Sequence, residues 1–336
     1  MLTVVCASPR QLLACDMPRP ARAPGEVLLR VKRVGICGTD LHIYTGDQPY
    51  LQYPRVMGHE LAGVVEEADA DAGLAPGEPV YVMPYLSCGR CVACRQGKTN
   101  CCVRIQVLGV HRDGGLAEYL AVPRPFVHSA AGISLDQAAM IEFLAIGAHA
   151  VRRGEVAAGQ RVLVVGAGPI GLAAMLFAKL RGAQVTAIEG RRDRLDFALR
   201  ELGIASAVQL GEGDEVELSR LTGGEFFDVV FDATGSPAAM ERGFRFIAHG
   251  GRYVLVSIVQ GDLRFSDPEF HKREATLLSS RNATAEDFAA VMAAMRAGEV
   301  PDRAMRTHRL TLAGLPEGFP RLLDPAEGVI KAIVEC

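Results

Sequence analysis

Cys88, Cys91 and Cys94 recur at three-residue intervals, and Cys101 and Cys102 follow shortly after. Thiolates this close can form the tetrahedral sulfur shell that Zn²⁺ fills at about 2.3 Å per bond. The segment they occupy, C-G-R-C-V-A-C-R-Q-G-K-T-N-C-C, is too polar to hold itself by burial, so a metal is expected to hold it. Disulfides are the weaker reading, because cysteines at such short intervals pair poorly with one another. Four sulfurs leave no open position, so this zinc is structural and not catalytic. Upstream stand Cys37-Gly38-Thr39-Asp40-Leu41-His42 and Gly58-His59-Glu60. Cys37 and His59 suit zinc as a soft and a borderline ligand. A lone Cys or His is usually just packed in a core, so this pair gains weight only beside the other motifs.

The third motif is Gly166-Ala167-Gly168-Pro169-Ile170-Gly171, a G-x-G-x-x-G run. It follows a short apolar stretch, residues 161–165, and opens a helical one, 169–180. In that context the first glycine makes a tight turn, the second lets a pyrophosphate approach, and the third packs helix on strand. The helix start offers unpaired N–H groups and partial positive charge to phosphate. Glu189 ends the next strand-like run, where an acid bonds ribose hydroxyls and repels a 2′-phosphate. NAD is therefore favoured over NADP, although Arg191 and Arg192 beside it could receive a 2′-phosphate. The cofactor set is Gly166, Gly168, Pro169, Ile170, Gly171, Glu189 and Arg194.

These residues need two kinds of scaffold. The first third of the chain alternates apolar and polar residues at 25–34, 58–67 and 78–82, with frequent Pro and Gly, as irregular β structure does. Near residue 135 the texture changes. An alanine-rich helical stretch, 135–153, leads into strands at 161–165, 184–188, 227–232, 252–257 and 275–279, with helices at 169–180 and 191–202. Strand–helix alternation is the pattern of a doubly wound parallel sheet. After about residue 285, one helix and strand-like pieces near 305–310 and 329–334 are expected to rejoin the first domain.

The 336 residues suit one large domain or two ordinary ones. A net charge of −3 argues against a nucleic-acid or membrane surface, since both want a basic face. No apolar run approaches the ~20 residues of a transmembrane helix. Nine cysteines without a signal-like segment point to a reducing cytosol, where thiols bind metal, so a cytoplasmic protein is expected.

Taken together, the C-G-T-D-x-H and G-H-E motifs, the cysteine loop and the glycine fingerprint, in this order, resemble the zinc-dependent medium-chain alcohol and polyol dehydrogenases along essentially the whole chain. The resemblance implies a GroES-like irregular β domain (1–140 and 286–336) carrying two zincs, one catalytic and one structural. It implies a Rossmann NAD-binding domain at 141–285. It makes Cys102 the fourth structural ligand, after Cys88, Cys91 and Cys94, and leaves Cys101 spare. Cys37 and His59 match catalytic zinc ligands, Glu142 the third protein ligand, and Glu60 a direct or exchangeable one. Glu142 is followed by Phe143 where the family usually has Pro. A helix N-terminus would favour an acid there in any case. Thr39 matches the hydroxyl that contacts the substrate alcohol, His42 the end of a proton relay, and Asp40 the acid behind the zinc histidine. Homodimers or homotetramers are implied as well.

The substrate is less legible. Residues 109–115, 266–272 and 280–284 look like a bacterial branch that includes L-galactonate 5-dehydrogenase, which implies a polyol or sugar-acid substrate. Arg112, Lys272 and Arg281 are the basic residues offered for a carboxylate, which Arg binds bidentately; the rival reading makes them surface residues or cofactor contacts. The expected reaction is hydride transfer between NAD and a secondary hydroxyl. L-threonine 3-dehydrogenase and a polyol-phosphate dehydrogenase are the rivals within the class, and a non-catalytic NAD-binding protein the rival outside it.

Overall fold

The computed structural model describes residues 1–48 and 51–336. The chain divides into two compact units, Met1–Glu142 with Thr284–Cys336, and Phe143–Ala283.

In the first unit the long strand Glu26–Ile36 is central. It is buried along most of its length, so it reads V-L-L-R-V-K-R-V and not as a strict alternation. Glu60–Glu67 and Tyr119–Pro123 pair with it antiparallel. The C-terminal strand Lys331–Glu335 also pairs with it, placing Ala332 opposite Ile36. The chain's last residues thus return to the β unit. Pro79–Val82, Val127–Ser129 and Arg306–Thr311 complete the sheet. Small ladders stand apart from it. One carries Arg55–Val56 beside Leu2–Ser8, and another pairs Tyr85–Leu86 with Gln106–Val107. A core of Val27, Leu29, Val31, Val34, Val65 and Val80 lies beneath.

The second unit is a six-stranded, all-parallel sheet. Its order is Ser206–Gln209, Gln184–Glu189, Arg161–Val165, Phe227–Asp232, Ile247–Leu255, Thr276–Ser279. In chain order this is 3-2-1-4-5-6. The strand order reverses between Arg161–Val165 and Phe227–Asp232, where ligands bind doubly wound sheets. Val162, Leu163 and Val164 have no exposed surface, because crossover helices cover both faces of a parallel sheet.

Four departures from the sequence expectation have physical reasons. The stretch 135–153 is two helices, Leu135–Ala138 and Ile141–Arg153, so Glu142 falls in the first turn of the second. The helix expected at 191–202 runs Arg192–Phe197 and then widens into a π turn to Leu202. The strand expected at 252–257 begins at Ile247, because a shift in its pairing admits Gly250 and Gly251. The edge strand Ser206–Gln209 has no apolar run to announce it, since only Val208 is buried.

Candidate functional site

The four cysteines expected to bind structural zinc come together. One sulfur from each of Cys88, Cys91, Cys94 and Cys102 lies within 4.8 Å of the others. Cys91 caps a single helical turn, Val92–Arg95, that brings Cys94 back beneath it. Backbone N–H groups point at the sulfurs; those of Cys88 and Arg104 each reach Cys102 Sγ at 3.3 Å. Backbone donors from Cys94 and Val103 lower the Cys91 pKa to about 6, so its thiolate forms readily. Burial, with Cys91 and Cys102 alongside, raises that of Cys94 to about 11. Crowded sulfurs that cannot all ionise alone are what a divalent cation resolves. Cys101 is exposed and lies outside the group. Cys91→Ser is expected to lose one zinc per chain and melt lower, since metal affinity here is folding free energy. Full metal content with an unchanged melting temperature would exclude the role.

Cys37, His59 and Glu60 form a second such group. Cys37 precedes the helix Gly38–Thr45, whose acid Asp40 is wholly buried. Asp40 Oδ2 accepts from Cys37 N at 2.9 Å, and Oδ1 accepts from Gly58 N at 3.1 Å. One carboxylate thus ties both motif segments together. His59 Nδ1 stands 3.8 Å from Asp40 Oδ1 and, although buried, has no hydrogen-bond partner. Burial opposes charge on His59, yet Asp40, Cys37 and Glu142 outweigh it and hold its pKa well above the ordinary value. Such an excess of negative groups fits a bound cation, and a thiolate, an imidazole and carboxylates are zinc donors.

The two glutamates differ. Both oxygens of Glu60 accept from Lys331 Nζ, at 2.6 and 2.7 Å, and neither residue is exposed by more than 1%. Lys331 Nζ also donates to Ile36 O at 3.1 Å. Gly35 faces Glu60 across the sheet, where a Cβ would lie 2.0 Å from Glu60 Oε2; only glycine leaves room for that carboxylate. Glu142 lies outside the three-residue group. It accepts from Tyr85 Oη through one oxygen, while the other is buried without a partner. Burial raises its pKa to about 7, with Glu60 adding to the shift and His59 opposing it. Thr39 is half-buried and His42 exposed. They are three residues apart on one helix, hence on one face.

In the second unit a crevice of about 300 Å³ opens at the carboxyl ends of the strands. Gly166, Gly168, Glu189, Arg194, Thr234 and Arg242 are among its walls. Gly166 has φ +93°, and a Cβ at Gly171 would sit 2.0 Å from Gly166 O, so fold geometry requires both glycines. A Cβ at Gly168 would meet nothing nearer than Arg194 Nη1 at 3.9 Å. The protein itself therefore leaves that space open, as a phosphate approaching the backbone needs. Pro169 is the first residue of the helix Pro169–Leu180, with Ile170 second. Glu189 Oε2 accepts from Ala167 N at 2.8 Å and Oε1 from Arg191 N at 3.0 Å. Arg194 Nη1 stands 3.9 Å from Glu189.

The basic residues offered for substrate fall in different units. Arg112 is exposed in the first unit. Lys272 and Arg281 belong to the second, where Lys272 Nζ pairs with Glu269 at 2.8 Å. Sequence reasoning missed Lys331 and Tyr85. The signal for the first was a lysine inside the apolar run V-I-K-A-I-V. Asp232 was missed too: it ends its strand buried, holding Thr234 N and Oγ1 at 2.9 and 2.8 Å beside the crevice.

Residues 23–132 match the alcohol dehydrogenase GroES-like domain, and residues 169–297 the zinc-binding dehydrogenase family. The chain is 43% identical to L-galactonate-5-dehydrogenase of Escherichia coli strain K12, over 99% of this chain and 98% of that one. A solved alcohol dehydrogenase from E. coli CFT073, complexed with NADH, superposes with a TM-score of 0.93 at 29% identity, covering 100% of this chain and 99% of that one. A zinc-binding dehydrogenase of Sinorhizobium meliloti 1021 bound to NADP gives 0.92 at 28%, with coverage of 100% and 99%. No helix among the described residues is long and apolar enough to cross a membrane. With its GroES-like and Rossmann-like units, the chain belongs to the zinc-binding alcohol dehydrogenases, oxidoreductases acting on CH–OH groups.

Proposed function

We propose that this enzyme is an NAD-linked, zinc-dependent dehydrogenase of a sugar acid, oxidising a secondary hydroxyl of L-galactonate or a close analogue. The observation that carries the reaction is the convergence of Cys37, His59 and Glu60 around one point, beside the buried, unpartnered oxygen of Glu142. The 43% identity to an L-galactonate-5-dehydrogenase supports the substrate.

Cys37, His59 and Glu142 would hold the catalytic zinc, with Glu60, the carboxylate that groups with Cys37 and His59, held by Lys331 as an exchangeable ligand. Cys88, Cys91, Cys94 and Cys102 would hold a second, structural zinc. When bound, the catalytic metal makes a hydroxyl more acidic and the nicotinamide accepts hydride. Asp40 ties the backbone at Cys37 to that at Gly58, just before His59, so both ligand segments are in place before metal arrives. Thr39 Oγ1 accepts the hydroxyl proton while releasing its own toward His42, which lies exposed on the same helix face and gives a proton to solvent. Gly166, Gly168, Pro169, Ile170 and Gly171 cradle the cofactor phosphates, and Glu189 receives the ribose hydroxyls with Arg194 alongside. Arg191 and Arg192 are engaged by Asp193 and Asp196, at 2.7 and 3.0 Å, which supports NAD over NADP. The enzyme works in the cytosol as a homodimer or homotetramer, and the strand Thr276–Ser279 leaves one sheet edge available.

A turnover screen of aldonates and polyols with NAD tests this reading. L-Galactonate should rank first, and turnover of L-threonine or a polyol phosphate alone would replace it. Glu189→Gln keeps an acceptor for Ala167 N but removes the charge. The NADP-to-NAD ratio of kcat/KM is expected to rise about 10- to 100-fold, as for loss of charged hydrogen bonds. A wild-type preference for NADP would sink the cofactor assignment.

A further inference from the structure

A second cavity, of about 420 Å³, lies wholly in the first unit. Among the described residues its polar walls are Gln52, Arg55, Arg104, Gln106 and His111, with no acid among them. Arg55 and His111 are each held from behind. Asp113 Oδ1 accepts from Arg55 Nη1 at 3.0 Å and from Val56 N at 3.1 Å, which leaves further guanidinium donors for a ligand. His111 Nδ1 accepts from Val107 N at 3.1 Å, so in the neutral ring Nε2 carries the proton and is a donor. The backbone N–H of Arg104 is anchored on Cys102 Sγ at 3.3 Å, within the cysteine cluster.

The cavity is tied to the metal-binding residues by two routes. Arg55 lies four residues before His59, so their Cα atoms are at most about 14 Å apart. The loop carrying His111 is clasped to that same segment. Gly114 N donates to Val56 O at 2.7 Å, Gly115 N to Gly58 O at 2.9 Å and Leu116 N to Met57 O at 3.0 Å. A Cβ at Gly114 would lie 2.2 Å from Gly58 O, so nothing larger than glycine permits the clasp. On the other side Gln106 neighbours Val107, which pairs with Tyr85, whose hydroxyl donates to Glu142.

We propose that this cavity binds the carboxylate of the substrate, with Arg104, Arg55 and His111 as the recognising groups. The inference rests on the sugar-acid reading above. An aldonate carries its carboxylate several bonds from the carbon that gives up hydride. The group that recognises it must therefore stand off from the metal-binding residues while remaining fixed to them. Basic donors fixed to the metal-binding segment suit a planar anion and serve no purpose for a neutral polyol.

The test compares L-galactonate with its alditol, galactitol, in steady-state turnover by the zinc-loaded full-length enzyme with NAD. Arg104→Gln is the main variant because its side chain is exposed and folding does not depend on it. His111→Gln and the double variant guard against one group covering for the other. The KM for galactonate is expected to rise about 10- to 100-fold in Arg104→Gln, and the galactonate-to-galactitol ratio of kcat/KM to fall in step. If the wild type prefers galactonate and the double variant keeps both KM and preference, the carboxylate binds elsewhere; the substrate reading survives and the cavity assignment does not. A wild type that prefers galactitol overturns both.

Discussion

Cys37→Ser is expected to abolish turnover and remove one of two zincs per chain. A serine hydroxyl stays protonated where a thiolate would bind, so the donor set loses its strongest member. The loss should be larger than that from His42→Ala, which leaves the donor set intact. Proton transfer to a positioned group contributes about 10²–10⁴-fold, so His42→Ala should retain measurable activity and full metal content. Its deficit should be greatest at low pH, where hydroxide in solvent cannot take the proton instead. Cys91→Ser forms the third corner of the comparison, losing a zinc and stability while the residues of the catalytic group remain. Zinc content by mass spectrometry, melting temperature and the pH profile of NAD reduction separate the three variants. A Cys37→Ser enzyme that keeps both metals and its rate would remove the catalytic-zinc assignment and, with it, the proposed reaction. A His42→Ala enzyme as fast as the wild type at every pH would remove the relay alone.

The parts of this molecule that sequence reasoning reached are those where one chemical need falls on neighbouring residues. The cysteine loop and the glycine turn are local devices, and their spacing is their geometry. The strand Arg161–Val165 was equally legible, because burial on both faces writes the continuous apolar run V-L-V-V. What escaped depends on contacts between distant segments. Ser206–Gln209 is a strand because its neighbour offers an edge, not because of its composition. Helix Pro237–Gly243 is short, and Ser236 caps it by accepting from Ala239 N at 3.4 Å, a signal too small to stand out. The second cavity gathers Arg55, Arg104 and His111 from three separate segments, whereas the stretch 109–115 had offered Arg112 beside His111, and Arg112 is not among the cavity walls. Asp40, expected behind the zinc histidine, accepts from the backbone of Cys37 and Gly58, and its Oδ1 stands 3.8 Å from His59 Nδ1.

Lys331 is the clearest case of chemistry hidden by chain distance, and it yields the largest expected effect on stability. Its ammonium is 271 residues from Glu60, yet the strand Lys331–Glu335 lies against Glu26–Ile36 and delivers it beneath that carboxylate. Burial alone would push a lysine toward neutrality. Here Glu60, Cys37 and Glu142 overcome that cost, and the Lys331 pKa is raised. The pair is therefore charged and almost without exposed surface, a state stable only while both partners are present. Lys331→Met should destabilise the fold by about 3–5 kcal/mol, because an uncompensated carboxylate is left behind. Removing both charges is a different experiment. Lys331→Met with Glu60→Gln should recover much of that loss, since two buried charges exchanged for neutral groups cost far less than one left alone. The cycle of single and double variants, read by urea unfolding of zinc-loaded protein, isolates the coupling. Equal stability of Lys331→Met and wild type would show that Glu60 finds another partner, the metal being the nearest candidate. Zinc content and turnover of the same variant then decide the matter. If Glu60 is an exchangeable ligand held back by Lys331, the single variant should keep its catalytic zinc through heat or chelator challenge better than wild type. It should also oxidise substrate more slowly, because a carboxylate that stays on the metal takes the position the hydroxyl needs.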